Sequence, residues 1–283
     1  MTRNSKTPRG GYTLIELLVA LAIVAVCVGL ILAAVQSARL SAARQASMND
    51  IRQLVLASHS FATANGGLLP NVDGDFPTPG RSVFQALCPY LEANPDAPPP
   101  ILRAKTDPSR WSPSSGLAPP TLPDGTASPA ISPQSCSFVV NPYVYAVGMK
   151  LPASLTDGAS TTIAITEHYG TCGPTTYYWA LTQVRCKDGA TGKIIPCVAS
   201  SAHRPTFADA IFDDVLPPGT LPLTFQVRPP LSECDPRIPQ SSLPGGILLG
   251  LADGSVRFTR QSIEPTVFWG AVTPNGGEVI SLD

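Results

Sequence analysis

Charged residues are scarce in this sequence, and the two signs nearly cancel. Only 14% of the 283 residues are charged, and the formal net charge is −1. Proteins that bind nucleic acids carry clustered positive charge, which attracts the phosphate backbone. We therefore predict no nucleic-acid partner for this protein.

The sequence also lacks the motifs that usually mark a catalytic centre. It contains no G-x-S-x-G, no H-E-x-x-H and no P-loop. Its histidines are His59, His168 and His203. Glu167 and His168 are adjacent, but neighbours on a strand point to opposite faces of a sheet, which is unsuitable for a catalytic dyad. We expect no catalytic residue and no enzymatic activity.

Signals for a metal or a cofactor are equally weak. No C-x-x-C pair is present, and His168 and His203 lack the spacing of zinc ligands. The segment Asn71–Phe76, NVDGDF, does not have the spacing of an EF-hand calcium loop, and Asp-Gly pairs more often form turns. From the residues alone we predict no metal and no cofactor.

A long apolar run near the N-terminus dominates what the sequence does contain. Leu14–Val35 is 22 residues long and includes one charge, Glu16. As a helix it would extend roughly 33 Å, enough to cross a hydrocarbon core of about 30 Å. Arg3, Lys6 and Arg9 precede it. Because basic flanks stay in the cytoplasm, we predict a single span with the rest of the chain exported.

Glu16 is unusual because acidic residues inside membrane helices are costly and often functional. If the chain were cut after Gly11, Tyr12 would become a new N-terminus with a positively charged amine. Glu16 lies four residues from Tyr12, one helical turn away. In an assembly, the amine of one subunit would be able to pair with Glu16 of its neighbour.

The segment Gly11–Leu18, GYTLIELL, followed by an apolar helix, resembles the class III signal of type IV pilins and type II secretion pseudopilins. The resemblance implies cleavage between Gly11 and Tyr12 by a prepilin peptidase and N-methylation of Tyr12. It also implies subunit assembly that depends on Glu16. The family usually has Phe at the first mature position, so Tyr12 is a departure. The implied partners are the peptidase, other pilin or pseudopilin subunits, an inner-membrane assembly platform and membrane lipid. Because some pseudopilins bind calcium, the resemblance also implies calcium at Asn71–Phe76 as the alternative to no metal.

Three other kinds of N-terminal segment could contain an apolar run. A Sec signal peptide has a shorter apolar region and a small-residue cleavage site. A lipoprotein signal at Cys27 is disfavoured because Val26 is bulky and Cys27 lies in the middle of the run. A plain signal anchor fits the length, but it explains neither the Gly11–Tyr12 junction nor Glu16.

Six cysteines, besides Cys27, lie on the side that we predict to be exported. An even number in an oxidising compartment suggests disulfides. Cys186 and Cys197 flank Asp188-Gly189, which is a hairpin signal. We predict a disulfide between Cys186 and Cys197.

Residue patterns predict a helix over Thr13–Ala64, ended by Asn65-Gly66-Gly67, and a short helix over Ser82–Ala93 capped by Ser82. The chain from Cys136 is typical of β structure. The predicted strands are Ser137–Met149, Thr161–Thr166, Thr176–Val184, Phe207–Val215, Leu221–Val227, an Ile247–Leu251 and Ser255–Thr259 hairpin, Val267–Val272 and Glu278–Leu282.

Together these features predict an α+β, pilin-like fold. A long N-terminal helix, membrane-spanning in its first half, packs on an antiparallel sheet with long Pro-rich loops. The expected segments are a leader (1–11), a transmembrane half-helix (12–35), an exported amphipathic half-helix (36–66), a Pro-rich variable region (67–135) and a β-rich domain (136–283).

Four blocks resemble a planctomycete family with a pilin-type N-terminus and a C-terminal domain of unknown function. The blocks are Ile51–Phe61, Leu155–Glu167, Pro244–Phe258 and Gly276–Ser281. In the family's C-terminal block, a histidine precedes the Asp-Gly pair, with nine residues between them; this chain has Leu243 at that position. The family also has a cysteine early in the helix, where this chain has Ser47. If that histidine has a binding or catalytic role in the family, this chain lacks it.

The expected function is that of a structural subunit, assembled through its N-terminal helix into a pilus or pseudopilus. The expected location is the bacterial inner membrane, with the N-terminus cytoplasmic and the C-terminal domain periplasmic or extracellular. The alternative is a single-span, membrane-anchored binding module that does not polymerise.

Overall fold

The computed structural model describes residues 13–74, 77, 79–111, 135–173, 175–182, 185–187, 194–196, 202–207 and 223–277. Residues 1–45 and 46–283 form two compact units, the first unit and the second unit below. The helices within the described residues are α1 (Leu14–Ala64), α2 (Val83–Leu87) and α3 (Pro265–Val272), with short 3-10 helices at Cys88–Leu91, Pro100–Leu102 and Pro108–Trp111. The strands there are β1 (Phe138–Val140), β2 (Ile163–Glu167), β3 (Thr171–Cys172), β4 (Thr175–Tyr177), β5 (Arg185–Lys187), β6 (Ile194–Pro196), β7 (Ala202–His203), β8 (Gln226–Val227), β9 (Gln240–Ser241), β10 (Gly246–Leu251) and β11 (Val256–Arg260).

The first unit is formed by the N-terminal part of α1. Its apolar side chains are exposed, for example Leu14 at 74% and Leu30 at 70%. Within the part of the chain that the structure describes, α1 is the one helix long and apolar enough to cross a membrane. An exposed apolar surface of this length needs lipid or other helices around it.

The C-terminal end of α1 matches the predicted boundary. The Gly67 N–H donates to the Ala62 carbonyl at 2.7 Å, and Gly66 has a φ of +64°. This left-handed turn with a hydrogen bond back into the last turn is a glycine C-cap, which satisfies carbonyls that the helix leaves unpaired. The predicted end of the helix at Ala64 is confirmed.

The main sheet of the second unit has the order β1-β2-β10-β11, and all its pairs are antiparallel. The hairpin predicted around Asp253-Gly254 is confirmed as β10 and β11. The Asp253 carboxylate accepts the Ser255 N–H at 2.8 Å, and Gly254 takes a φ of +91°. A turn residue with positive φ is what such a tight connection requires.

The second half of α1 packs on this sheet, which confirms the α+β class. Ile51, Leu54 and Val55 are at most 1% exposed. Gly250 of β10 permits the close approach, because a Cβ at Gly250 would lie 2.3 Å from Cγ2 of Ile51 and 3.2 Å from the carbonyl oxygen of Ile165. A side chain at this position would therefore force the helix and the sheet apart.

The prediction of a strand at Val267–Val272 is wrong, because these residues belong to α3. A short continuous apolar run suits a buried helix as well as a buried strand. Pro265 occupies the first helical turn, where its missing N–H costs nothing. The side chains of Phe268 and Trp269 are buried in the core.

Three other predicted strands are longer than those observed within the described residues. Ser137–Met149 forms a strand only as β1, because Pro142 cannot donate to a ladder and the chain then turns, with the Tyr145 N–H donating to the Asn141 carbonyl. Thr176–Val184 is reduced to β4, and Leu221–Val227 to β8. The predicted strand Glu278–Leu282 lies outside the described residues, as does nearly all of Phe207–Val215.

Shorter elements complete the second unit. Of the helix predicted over Ser82–Ala93, Val83–Leu87 forms α2 and Cys88–Leu91 is a 3-10 helix, so the predicted start is confirmed but the α-helix is shorter. Ser82 caps α2 as predicted and forms a reciprocal capping box with Gln85. Strands β5 and β6 pair as the two arms of the hairpin predicted between Cys186 and Cys197. The turn residues Asp188 and Gly189 lie outside the described residues.

Candidate functional site

The candidate processing and assembly site lies at the N-terminus of α1. Gly11 and Tyr12 lie outside the described residues, so cleavage and methylation there stay predictions. The Thr13 N–H and hydroxyl both donate to Oε2 of Glu16, at 2.9 and 3.0 Å, and the Glu16 N–H donates to the Thr13 hydroxyl at 3.3 Å. These reciprocal bonds form a capping box that starts the helix at Leu14.

The capping box shows a role for Glu16 that the sequence analysis missed. Its carboxylate binds the backbone at the helix start, in addition to any bond that it makes to another subunit. The T-x-x-E spacing of Thr13 and Glu16 is the sequence signal that identifies such a box. A carboxylate in the first turn is also stabilised by the helix dipole, which offsets part of its cost in an apolar environment.

A disulfide forms at a pair of cysteines that the sequence did not indicate. Cys172 of β3 is bonded to Cys234, 62 residues later, with their Cα atoms 5.3 Å apart. The bond ties the loop before β9 to the β3-β4 pair. The prediction that cysteines after Cys27 form disulfides is therefore confirmed for this pair.

Two other cysteines remain as thiols. Cys88 and Cys136 are free and fully buried. Burial raises the pKa of Cys88 to about 11 and that of Cys136 further, so neither forms the reactive thiolate readily. Cys186 lies in β5, but Cys197 lies outside the described residues, so a disulfide between them stays a prediction.

Glu167, at the end of β2, is a buried carboxyl group with few hydrogen bonds to compensate for its loss of contact with water. It is 3% exposed, and its Oε2 accepts the Ser241 hydroxyl at 3.0 Å. Its Oε1 lacks a hydrogen-bond partner of normal geometry among the described residues. Burial raises the pKa of Glu167 to about 7, against the opposing effect of nearby donors that include Ser241 and Ser47. The group therefore holds its proton to a higher pH than an exposed carboxyl group does.

The two positions that depart from the planctomycete pattern lie near this carboxyl group. Ser47, on α1, is 1% exposed, and its hydroxyl helps to lower the pKa of Glu167. Leu243 is also 1% exposed, and its N–H donates to the Ser241 hydroxyl at 3.1 Å. Both departures therefore belong to the interior of the second unit.

His168 makes contacts separate from those of its neighbour Glu167. Its Nδ1 lies 2.6 Å from the Tyr169 carbonyl oxygen, which requires a proton on Nδ1, and its ring lies 4.0 Å from that of Tyr177. Its Nε2 lacks a hydrogen-bond partner of normal geometry within the described residues, although the Pro236 backbone interacts with the ring and opposes the fall in its pKa. Burial lowers the pKa of His168 to about 4, so the ring is neutral at physiological pH.

The other two histidines are held by backbone carbonyls. His59 Nε2 lies 2.7 Å from the Ala252 carbonyl oxygen, which links α1 to the β10-β11 turn. His203 Nδ1 lies 2.7 Å from the Arg204 carbonyl oxygen. His203 is the last residue of β7 and pairs with Tyr177 of β4.

The described residues contain no group of three or more side chains that could hold a metal ion. In the segment suggested for calcium, Asp73 forms a salt bridge with Arg204 at 2.9 Å. A carboxylate paired with a guanidinium is less available to a cation. Asp75 and Phe76 of this segment lie outside the described residues.

Comparison with known families adds one finding. The model described as the prokaryotic N-terminal methylation motif matches residues 6–32, which include Gly11, Tyr12 and Glu16. A search of curated proteins and a search of solved structures gave no significant match. The N-terminus is therefore type IV pilin-like, of the kind that prepilin peptidase processes. The match and the exposed apolar helix are together consistent with membrane anchoring.

Proposed function

We propose that the protein is a pilin-like structural subunit, processed by a prepilin peptidase and assembled into a pilus or pseudopilus. The proposal rests on two features that occupy the same part of the chain. The methylation motif matches residues 6–32, and the exposed apolar helix begins within it, at Leu14. The peptidase would cut between Gly11 and Tyr12, and Tyr12 would be N-methylated.

Assembly would follow from the chemistry that cleavage creates. Cleavage exposes a positive amine at Tyr12, next to a long apolar surface. In lipid, an unpaired amine is costly, and so is an unpaired carboxylate. Pairing the amine with Glu16 of a neighbouring subunit would remove both costs. Helix packing between subunits would cover the exposed side chains of residues 14–35.

The remaining chain would face outward, on the periplasmic or extracellular side. The inner-membrane assembly platform and other pilin or pseudopilin subunits would be its partners. The second unit would serve as the outer domain of the subunit, with no enzymatic activity and no cofactor. Calcium at Asn71–Phe76 stays the alternative.

We also propose membership of the planctomycete family with a pilin-type N-terminus. Two of the resembling blocks support this, because they meet at the interface between helix and sheet. Ile51–Phe61 supplies the buried face of α1, and Leu155–Glu167 includes the whole of β2. If the family shares these blocks because their side chains pack against each other, the blocks would lie at such an interface.

Processing is tested by mass spectrometry of N-terminal peptides from protein in native membranes. The expected mature chain begins at Tyr12 and carries one added methyl group. A chain that retains Arg3 to Gly11 would show a signal anchor instead. A start beyond Ala38 would show a secreted protein and overturn the proposal.

Assembly is tested by site-specific crosslinking between subunits in cells. Glu16→Gln keeps a side chain that can complete the capping box but removes the charge, so we expect it to lose incorporation. Thr13→Ala is the matched control, because it disrupts the box and keeps the carboxylate; we expect incorporation to continue. If Glu16→Gln assembles at the wild-type level, amine pairing is wrong. If the wild type itself gives no crosslink between subunits, a membrane-anchored binding module that does not polymerise becomes the better interpretation.

A further inference from the structure

A cleft in the second unit lies between α1 and the segment that follows α2. Its volume is about 710 Å³, within the range of small-molecule sites. One wall is the outer face of α1, and the other is a turn-rich segment with three consecutive prolines. The lining residues are Gln53, Leu56, Ala57, Ser60, Tyr90, Leu91, Glu92, Ala93, Asn94, Ala97, Pro98, Pro99, Pro100 and Ile101.

Tyr90 presents an aromatic ring to this cleft in a fixed orientation. Its ring packs edge-on against buried Phe61, with the ring centroids 5.8 Å apart and an interplanar angle of 72°. Tyr90 nevertheless remains 37% exposed. A ring held on one side and open on the other offers a flat apolar surface on which a ligand can stack.

Polar groups line the same cleft. Glu92 is the left-handed C-cap of the 3-10 helix Cys88–Leu91, with a φ of +53°, so its backbone position is set by the end of that helix. Asn94 accepts the Asp96 N–H at 2.9 Å through Oδ1, which leaves its NH₂ group to donate elsewhere. Gln53 adds an exposed amide from α1.

The charge of the lining restricts the ligand. None of the lining residues is basic, and Glu92 is the one acidic residue among them. Phosphates, nucleic acids and acidic peptides would therefore be repelled rather than bound. An aromatic face combined with amides and a carboxylate suits a ligand that has apolar C–H faces and many hydroxyl groups.

We propose that this cleft binds a neutral glycan. A sugar ring would stack on Tyr90, while its hydroxyls would donate to Glu92 and bond with the amides of Asn94 and Gln53. The proline wall would limit the rearrangement on binding, because prolines have little backbone freedom to lose. This inference does not depend on filament assembly, since an anchored monomer would carry the same cleft.

Binding is tested by calorimetry on the full chain in nanodiscs of phosphatidylethanolamine and phosphatidylglycerol, because common maltoside detergents would themselves occupy a sugar site. The probes are maltotetraose, cellotetraose and triacetylchitotriose. We expect at least one to bind. Gln53→Ala is expected to weaken that binding about fivefold, the loss of one hydrogen bond. Tyr90→Ala is expected to weaken it about tenfold.

The matched control is Gln261→Ala, the same change at an exposed position that does not line the cleft; it should bind like the wild type. If Tyr90→Ala fails to fold, Gln53→Ala still decides, because Gln53 is exposed on the helix surface. The proposal is overturned if none of the three saccharides binds at millimolar concentration or if Gln53→Ala and Gln261→Ala bind equally. It is also overturned if choline, a cationic probe, binds and the saccharides do not.

Discussion

Replacing Glu167 by glutamine is expected to change how the stability of the protein depends on pH. The carboxyl group is buried between α1 and the sheet, and burial raises its pKa from an ordinary 4.5 to about 7. The folded protein therefore holds this proton more tightly than the unfolded chain does. Its contribution to stability is fully present below pH 4.5 and is lost as the pH rises through about 7.

The size of the effect follows from the two pKa values. Each pH unit between them lowers the free energy of unfolding by about 1.4 kcal/mol, so the total loss is about 3 kcal/mol by pH 8. Glutamine keeps an oxygen that can accept the Ser241 hydroxyl but has no proton to lose. The wild type is expected to lose about 3 kcal/mol relative to Glu167→Gln between pH 4 and pH 8, or about 6–12 °C in Tm.

The wild-type curve alone would not reveal this effect, because His168 acts in the opposite direction. Burial lowers the pKa of His168 from 6.5 to about 4. Its contribution to stability is present above pH 6.5 and is lost as the pH falls through about 4. The two slopes overlap and partly cancel, so the measured quantity must be the difference between Glu167→Gln and the wild type at each pH.

The assay is thermal unfolding of the full chain in nanodiscs, followed by tryptophan fluorescence. Trp179 and Trp269 are 1% and 3% exposed and report on the core of the second unit. Glu233→Gln is the matched control, because the same change at an exposed carboxylate should leave the pH profile unchanged. If the wild type and Glu167→Gln differ by a constant amount from pH 4 to pH 8, the pKa of Glu167 is not raised and the reasoning is refuted.

Three further changes are expected to destabilise the second unit, each measured in the same unfolding assay. Gly250→Ala would place a Cβ against Ile51 and cost about 1–3 kcal/mol; an unchanged Tm would contradict the close contact between α1 and the sheet. Asn141→Ala would remove the amide that donates to the carbonyls of β2 and α3, both at 2.7 Å, at a cost of about 1–3 kcal/mol. If Asn141→Ala is as stable as the wild type, these two hydrogen bonds do not hold α3 in place. A double Cys172→Ser, Cys234→Ser variant should lose about 2–4 kcal/mol, and thiol labelling of the native wild type under non-reducing conditions should leave both residues unmodified. Labelling of either one would show that the disulfide is absent.

Features that depend on neighbouring residues in the chain were predictable from the sequence. The helix was predicted to within one residue of α1 at both ends, because apolar periodicity and a glycine cap act over a few residues. The β10-β11 hairpin and the cap at Ser82 are local for the same reason. The T-x-x-E box at Thr13 and Glu16 is equally local, so its spacing is a signal that the sequence alone provides.

Features that depend on distant residues were decided by the tertiary structure alone. The disulfide joins cysteines 62 residues apart, and their spacing carries no signal of that pairing. The apolar run Val267–Val272 has no periodicity that distinguishes a helix from a strand. Its helical structure is therefore decided by its packing beside β1 and β2.

The raised pKa of Glu167 likewise arises from groups that the chain brings together only on folding. Ser47 comes from α1, Ser241 from β9 and the carboxyl group from β2. The sequence by itself determined the long helix, its apolar surface and the motif at its start. The burial of Glu167 depends on every element packed around it. It was therefore decided by the tertiary structure, in which the sheet packs on the second half of that helix.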